Sequence, residues 1–115
     1  MYKVITIGDK EIPMLAAASV NIFCKRIFGI DPLKTVGQDM DYTDGIDLYQ
    51  KVGFVMAKLA ECNKSGSFAQ MNELNEDSYL MWLCDIDNGD FIEKTRDIAE
   101  LYIGANKPTE KPKNR

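Results

Sequence analysis

Apolar residues at helical spacing constrain this chain more than any other feature. In the stretch SVNIFCKRIFGIDPL, residues 19–33, they recur at i, i+3, i+4, i+7 and i+8, which forms one apolar stripe along a helix; they are Val20, Phe23, Cys24, Ile27 and Phe28. Ser19 is expected to be the N-cap, and Gly29 is typical of a helix C-terminus. Pro32 favours a break beyond it. The sequence therefore predicts an amphipathic helix that ends at Phe28.

A second and longer helix is predicted from Thr43 or Asp44 to Glu61. Its apolar stripe is formed by Tyr49, Val52, Met56, Leu59 and Ala60 and is widened by Leu48 and Val55. The stretch before it, KTVGQDMDYTDG at residues 34–45, is rich in Gly and Asp and is expected to be a loop. The stretch after it, NKSGS, is expected to end the helix.

The last third of the chain predicts two more helices. Asn75 is expected to cap the third, with Leu74 packing onto Tyr79 and the sequence DNG at residues 87–89 ending it. Its buried face should consist of Tyr79, Trp82, Leu83 and Ile86. Asp90 and Glu93 resemble a capping box for the fourth helix, and Gly104 is its expected end. The apolar side of the fourth helix should consist of Ile92, Thr95, Ala99, Tyr102 and Ile103.

The N-terminus has a strand-like pattern instead. Val4–Ile7 and Glu11–Leu15 flank the sequence GDK, which predicts a short β-hairpin with Gly8 in its turn. Pro13 lacks an amide proton, so its strand should lie at an edge. The fold class is therefore predicted to be mainly α (α+β): about four helices in one domain over residues 1–104, behind an N-terminal hairpin. Residues 105–115 are expected to be a disordered basic tail.

Charge is distributed unevenly along the 115 residues. The chain has 14 basic and 18 acidic residues, and residues 105–115 contain four bases and one acid, which leaves residues 1–104 with 10 bases and 17 acids, a net charge of −7. From Ser65 to Glu93 there are seven acids and no base. Such an acidic body is a poor ligand for a phosphate backbone, so nucleic acid is not an expected partner except through the basic tail.

Cysteine content and hydropathy indicate the compartment. Cys24, Cys62 and Cys84 are an odd number, lie far apart and include no CxxC pair. A disulfide framework is therefore not expected, the cysteines are interpreted as small core hydrophobes, and a reducing cytoplasm is the natural location. No run of 18 apolar residues occurs, and the N-terminus does not resemble a signal peptide, so no membrane association is expected.

Motifs for catalysis or cofactors are not evident. The chain has no histidine, and the glycine-rich phosphate loops do not occur. Asp39–Gly45 and Asp85–Asp90 approximate a calcium loop, but their glycines are out of place, and turn or capping chemistry explains both stretches better. No enzyme, cofactor or metal is expected. Seven residues at helical spacing could be imagined as a ligand pocket, but core packing is the better interpretation; they are Phe23, Cys24, Phe28, Tyr49, Met56, Trp82 and Tyr102.

Three stretches together resemble the tail assembly chaperones of long-tailed phages and prophages of Gram-positive bacteria. Residues 7–33, IGDKEIPMLAAASVNIFCKRIFGIDPL, are similar to the hairpin, Ala-rich step and helix ending in IFG.D of that family, and Lys25 stands where the family often has Arg. Phe23 and Cys24 depart from its pattern. LNEDSYLMWLCDID, residues 74–87, resembles its acidic helix, and DFIEKTRDIAELYIGANK, residues 90–107, its final helix.

The resemblance implies a binding protein without catalysis. Its expected partners are the tape-measure protein and the tail-tube protein, which it would keep soluble while promoting tube polymerisation in the host cytoplasm, and it would be absent from the mature virion. Many such proteins have a second, longer form made by a ribosomal frameshift, and a body followed by a Lys-rich tail is compatible with the shorter form. The alternative is a small cytoplasmic adaptor or regulatory protein that binds another partner through its amphipathic helices.

The first predicted helix supplies the candidate partner-binding residues. Phe23 and Phe28 are expected to pack inward or against the partner, and Lys25 and Arg26 to make contacts at the rim. The alternative for all four is an ordinary core helix with solvated bases near its negative end.

Overall fold

In the computed structural model, which describes residues 1–35 and 40–108, a two-stranded hairpin is followed by helices. The strands are β1 (Tyr2–Ile7) and β2 (Lys10–Leu15); the helices are α1 (Ser19–Phe28), α2 (Pro32–Thr35), α3 (Tyr42–Ser65), α4 (Glu76–Leu83) and α5 (Asn88–Ala105), with a 3-10 helix at Ala69–Glu73. The predicted mainly α fold with an N-terminal hairpin is confirmed. The four predicted helices correspond to α1, α3, α4 and α5, and the structure adds α2 and the 3-10 helix.

The hairpin covers one side of the helices. Its strands are antiparallel, with Ile5 opposite Ile12 and Val4 opposite Pro13. Both strands of a two-stranded sheet are edges, so Pro13 removes no hydrogen bond to a further strand. Ile5, Ile7 and Met14 are buried, because β1 packs on α5 and β2 on α3.

Helix α3 is the centre of the molecule. Its 24 residues span roughly 36 Å, and its middle is buried on all sides because α1, the hairpin and α5 surround it. Asp41 caps it by accepting a hydrogen bond of 2.8 Å from the Asp44 amide, and Gly66 ends it with φ +79°. The helix therefore starts at Tyr42 and extends four residues past the predicted end at Glu61, since buried Cys62 keeps the last turns on the core.

The structure confirms the predicted C-terminus of α1 but not its predicted N-cap. Gly29 ends the helix as predicted, with φ +69° and its amide donating to the Lys25 carbonyl at 2.9 Å. Ser19 is already helical, and Ala18 precedes it with α-helical backbone angles, so the predicted Ser19 cap is wrong. Pro32 lies beyond the end of α1, as predicted, and it also begins α2, because the first position of a helix needs no amide proton.

The predicted loop 34–45 is therefore wrong at both ends. Lys34 and Thr35 belong to α2, and residues 42–45 belong to α3. Residues 36–39 lie outside the described part of the chain, as do residues 109–115 of the predicted tail.

Helix α4 has the predicted N-terminus but a different end. Asn75 caps it, and the Asn75 and Ser78 side chains form a reciprocal capping box. It ends at Leu83, where the Asp85 amide donates to the Trp82 carbonyl in a tight turn. The sequence DNG therefore does not end α4: Asp87 precedes α5, and Asn88 and Gly89 are its first helical residues.

Helix α5 buries a face adjacent to the predicted one. Its buried residues are Phe91, Ile98, Leu101 and Tyr102, and of the predicted stripe only Tyr102 is among them. Ile92, Thr95, Ala99 and Ile103 are half-buried. The predicted Asp90–Glu93 cap is not formed, since Asp87 is the N-cap position and makes no side-chain capping bond, and α5 ends at Ala105, one residue beyond Gly104.

Candidate protein-binding surfaces

The four candidate residues of α1 have three different surroundings in the structure. Phe28 belongs to an aromatic cluster in which rings meet edge to face. Its ring centroid lies 5.0 Å from that of Tyr79, and Phe54 lies 5.5 Å from Tyr79 and 5.6 Å from Trp82. The Lys51 ammonium lies 5.7 Å from the Phe28 ring centroid. Phe28 therefore joins α1 to α3 and α4, and its main contacts are internal.

Phe23 and Arg26 contribute to a small apolar patch on the surface. The Arg26 guanidinium lies 5.5 Å from the centroid of the Phe23 ring, which is itself only 8% exposed. Ile22 and Phe68, about half exposed, border the same shallow depression of about 260 Å³. We call these four residues the α1 patch. Ile22 and Phe68 are its main exposed apolar members, and the predicted contact of Arg26 with a partner stays a prediction.

Lys25 lies beside this patch and does not line the depression. Its side chain is exposed in the last turn of α1, where the helix dipole favours a cation. Within residues 1–35 and 40–108, neither Lys25 nor Arg26 has a carboxylate within ion-pair distance. The structure thus leaves both charges accessible and leaves the interpretation of Lys25 as a solvated flank open.

A larger groove, not anticipated from the sequence, lies between α3 and α5. Tyr42, Ile46 and Tyr49 from the first turns of α3 face Ile92, Thr95 and Ala99 of α5 across an open volume of about 420 Å³. We call this the α3–α5 groove. Gly45 and Ala99 add little side-chain bulk to its walls, so no described side chain fills the space between the two helices.

The groove has an aromatic floor and one aromatic wall. Tyr49 is 7% exposed and packs against Tyr102 at 6.4 Å between ring centroids, whereas Tyr42 is 72% exposed at the entrance. Burial raises the pKa of Tyr49, so its hydroxyl stays protonated near neutral pH. The Thr95 hydroxyl donates to the Phe91 carbonyl at 3.1 Å and is therefore already engaged. The groove thus mainly offers apolar contact area.

Charges of both signs lie at the edges of the groove. Asp41 stands at the α3 end, where its carboxylate already caps the helix. Arg96, with its side chain 88% exposed, lies along the α5 side, and its Nε is 3.4 Å from a Glu100 carboxylate oxygen. Exposed pairs of this kind contribute little energy, so they can exchange partners when another molecule binds.

The cysteines are all free, but they are not equivalent. Cys24 and Cys62 are buried, as the sequence predicted, while Cys84 is exposed, so its assignment to the core is wrong. Burial raises the pKa of the Cys24 thiol to about 12. Burial, followed by the Glu61 charge, raises that of Cys62.

Two further features concern the described residues alone. Within residues 1–35 and 40–108, no three acidic or Cys side chains lie together in a way that could hold a metal ion, and this range includes Asp85–Asp90, whereas Asp39 lies outside it. In the same part of the chain, no helix has the length and hydropathy needed to cross a membrane.

Comparison with protein-family models, curated proteins and solved structures finds no match to this chain.

Proposed function

We propose that this protein is a phage tail assembly chaperone, which binds the tape-measure and tail-tube proteins and promotes tail tube assembly without catalysis. The proposal rests on the sequence resemblance over residues 7–33, 74–87 and 90–107. The structural observation that supports it is the α3–α5 groove, which no described residue fills and which offers the apolar surface that a chaperone of this kind needs for helical cargo. It acts in the host cytoplasm and is left out of the mature virion.

The dimensions of the groove suit one short stretch of amphipathic helix. From Ile92 to Ala99 the α5 wall advances by seven residues, roughly 10 Å along the helix axis. Two turns of a partner helix have this length and present apolar side chains at i, i+3 or i+4, and i+7. A tape-measure protein is long and helical, so it offers many segments of this kind.

The acidic body gives the complex its solubility. Residues 1–104 carry a net charge of −7, and net charge of one sign keeps proteins apart in solution. An apolar groove in an acidic surface can therefore cover an aggregation-prone segment while the complex remains dispersed. The same charge disfavours competition from nucleic acid.

The α1 patch forms a second part of the binding surface. Ile22 and Phe68 supply exposed apolar area, Arg26 supplies a charged rim, and Lys25 adds a second cation one residue earlier. The Phe23 ring packs against the Arg26 guanidinium, and Phe28 packs α1 against the aromatic cluster. The cationic rim suits acidic residues flanking the apolar face of the partner.

Copurification tests the function directly. The chain is tagged at its N-terminus, expressed from its own DNA with the downstream genes, and everything recovered with it is weighed by mass spectrometry. We expect a tape-measure or tube protein and a minor longer product that shares the N-terminus. Recovery of a different partner would replace the proposal with the adaptor function, and recovery of the chain alone in a single length would overturn it.

Two variants locate the contact. Ile46→Arg places a charge in the α3–α5 groove, and Leu33→Arg makes the same change at a half-exposed site on α2 outside it. We expect Ile46→Arg to abolish recovery of the partner and Leu33→Arg to leave it unchanged, with circular dichroism showing that both variants are folded.

Charge reversal tests the α1 patch. Replacing Lys25 and Arg26 with Glu should weaken recovery of the partner, and an unchanged yield would remove the patch from the binding surface.

A further inference from the structure

Helix α4 has a second apolar face that no other part of the described chain covers. Tyr79 is buried, and Trp82 and Leu83 are half-buried against the core. On the opposite side lie Leu80, 52% exposed, and Met81, 70% exposed. Exposed Cys84 follows directly after the helix.

These exposed residues form one continuous strip. Asp77, Leu80, Met81 and Cys84 follow the spacing i, i+3, i+4 and i+7, which places them on a single side of the helix. We call this strip the α4 face. It shares no residue with the α3–α5 groove or the α1 patch.

The charge around the α4 face is mainly negative. Glu76 and Asp77 lie in the first turn and Asp85 just beyond the last, and none of the three is in an ion pair with another described residue. No base occurs between Ser65 and Glu93. Among the described residues, Lys10 of the hairpin is the one cation that lines the same depression as Asp85. The negative charge also affects the buried side of α4. Burial raises the pKa of Tyr79, and the charges of Asp47 and Glu76 raise it further.

We infer that the α4 face is a docking site for a basic amphipathic helix of a partner protein. Apolar side chains of the partner cover Leu80 and Met81, and flanking Lys or Arg side chains reach Glu76, Asp77 and Asp85. Unbranched Met adapts to differently shaped apolar surfaces, which suits a site that recognises pattern and charge. This inference goes beyond the proposed function, because it holds whichever protein supplies the helix.

Charge complementarity decides between the possible occupants. A second copy that presented its own α4 face would bring acid against acid, which costs binding energy. An anionic membrane surface would meet the same repulsion. A basic helix supplies both missing elements, the apolar cover and the opposite charge.

The test uses the full chain and a synthetic Leu/Lys peptide of about 18 residues, which forms five turns of amphipathic helix. We expect the peptide to slow the alkylation of Cys84 by a maleimide in the unmodified protein, because the thiol lies within the α4 face. A Leu/Glu peptide of the same pattern should give no protection. Absence of protection by the Leu/Lys peptide, or equal protection by both peptides, would overturn the inference.

Variants then assign the binding energy. Replacing Leu80 and Met81 with Gln, which keeps good helix formers, should weaken binding of the Leu/Lys peptide about tenfold, as loss of a central apolar contact does. Replacing Asp77 and Asp85 with Asn should weaken binding and reduce its salt dependence. The matched control replaces Glu93 and Asp97 on α5 with Gln and Asn, the same charge change at residues that line neither the α4 face nor the α3–α5 groove.

Thermal unfolding first shows which variants are folded, and only folded variants are compared. Equal weakening by the α5 control would show that the peptide senses overall charge only, and the α4 site would be rejected. Sedimentation that reveals a dimer lost on replacing Leu80 and Met81 would assign the face to a second copy and also overturn the inference. Because neither result involves a tape-measure or tube protein, failure here leaves the proposed function standing.

Discussion

The hydroxyl of Tyr102 in α5 donates a hydrogen bond to the side-chain oxygen of Asn21 in α1. The Asn21 amide donates in turn to the Asn106 side-chain oxygen at 3.1 Å, and the Asn106 amide donates to the Tyr102 carbonyl at 2.8 Å. Tyr102 is fully buried, and burial raises its pKa, so the hydroxyl remains a donor at neutral pH. The ring of hydrogen bonds joins the first helix to the end of the last.

Tyr102→Phe should therefore lower the free energy of unfolding by about 1–2 kcal/mol, because it removes the hydroxyl and leaves the Asn21 oxygen without that donor. Asn21→Ala should cost a similar amount, and the double variant should cost less than the two together. Urea unfolding followed by circular dichroism measures all three. Tyr42→Phe, at a tyrosine that is 72% exposed, is the control and should change stability by less than about 0.5 kcal/mol. Strict additivity of the two changes would contradict the coupling.

Tyr79 makes stability sensitive to alkaline pH. Burial, followed by the charges of Asp47 and Glu76, raises its pKa from 10.0 to about 12. Between these values the unfolded chain loses the tyrosine proton while the folded chain keeps it, so the unfolded state is favoured as pH rises. The contribution of this group to the free energy of unfolding should be constant well below pH 10 and should decline between pH 10 and 12, with a slope of at most about 1.4 kcal/mol per pH unit.

Denaturant titrations at a series of pH values above neutrality measure this slope, and tyrosinate absorbance follows the ionisation. Tyr49 and Tyr102, whose pKa values are also raised by burial, should add to it. Tyr79→Phe should make the decline shallower, although it also changes the core. A decline of the same steepness in Tyr79→Phe and in the native chain would contradict the assignment.

The three thiols should react in two classes. Cys84 is exposed, whereas Cys24 and Cys62 are buried and have raised pKa values, which lowers their thiolate fraction. With a thiol reagent at mildly alkaline pH, we expect one thiol per chain to react quickly and the other two only on unfolding. Cys84→Ser should remove the fast reaction. A second fast thiol in that variant would show that Cys24 or Cys62 is accessible.

The elements that the sequence predicted well are those specified locally. Gly29 ends α1 with positive φ, and Asn75 caps α4, because each depends on residues only a few positions away. Helix α2 has four residues, too few for an apolar period. The sequence Asn88-Gly89 resembles a helix stop. In the structure, however, the chain already turns after Leu83, so α4 has ended before these two residues and they form the first turn of α5.

The α3–α5 groove could not be predicted from the sequence, because it depends on which face of α5 is buried. Helix α5 has two neighbouring apolar stripes: one contains Phe91 and Ile98, and the other contains Ile92 and Ala99. The spacing of apolar residues along the helix does not show which of the two stripes is buried. Packing against α3 and β1 buries the first stripe and leaves the second facing Tyr42 and the residues around it. The pairing joins segments about fifty residues apart in sequence, so only the assembled fold shows it.

Gly8 should be intolerant of a side chain for two reasons. Its φ of +63° lies in the left-handed region, and a Cβ placed there would lie 2.6 Å from Oδ2 of Asp90, at the start of α5. Gly8→Ala should therefore lower the free energy of unfolding by about 1–2 kcal/mol from backbone strain alone, with a further cost unless the Asp90 side chain moves aside.

The two contributions separate in a double variant. Asp90→Ala combined with Gly8→Ala removes the close contact but keeps the backbone strain, so it should recover only part of the loss, as measured by thermal unfolding. Gly89→Ala is the matched control, because no atom lies within 4 Å of its added Cβ. Since Ala is the better helix former, that control should be neutral or stabilising by up to about 1 kcal/mol. Full recovery in the double variant would mean that contact with Asp90, and not the left-handed backbone, requires glycine in this turn.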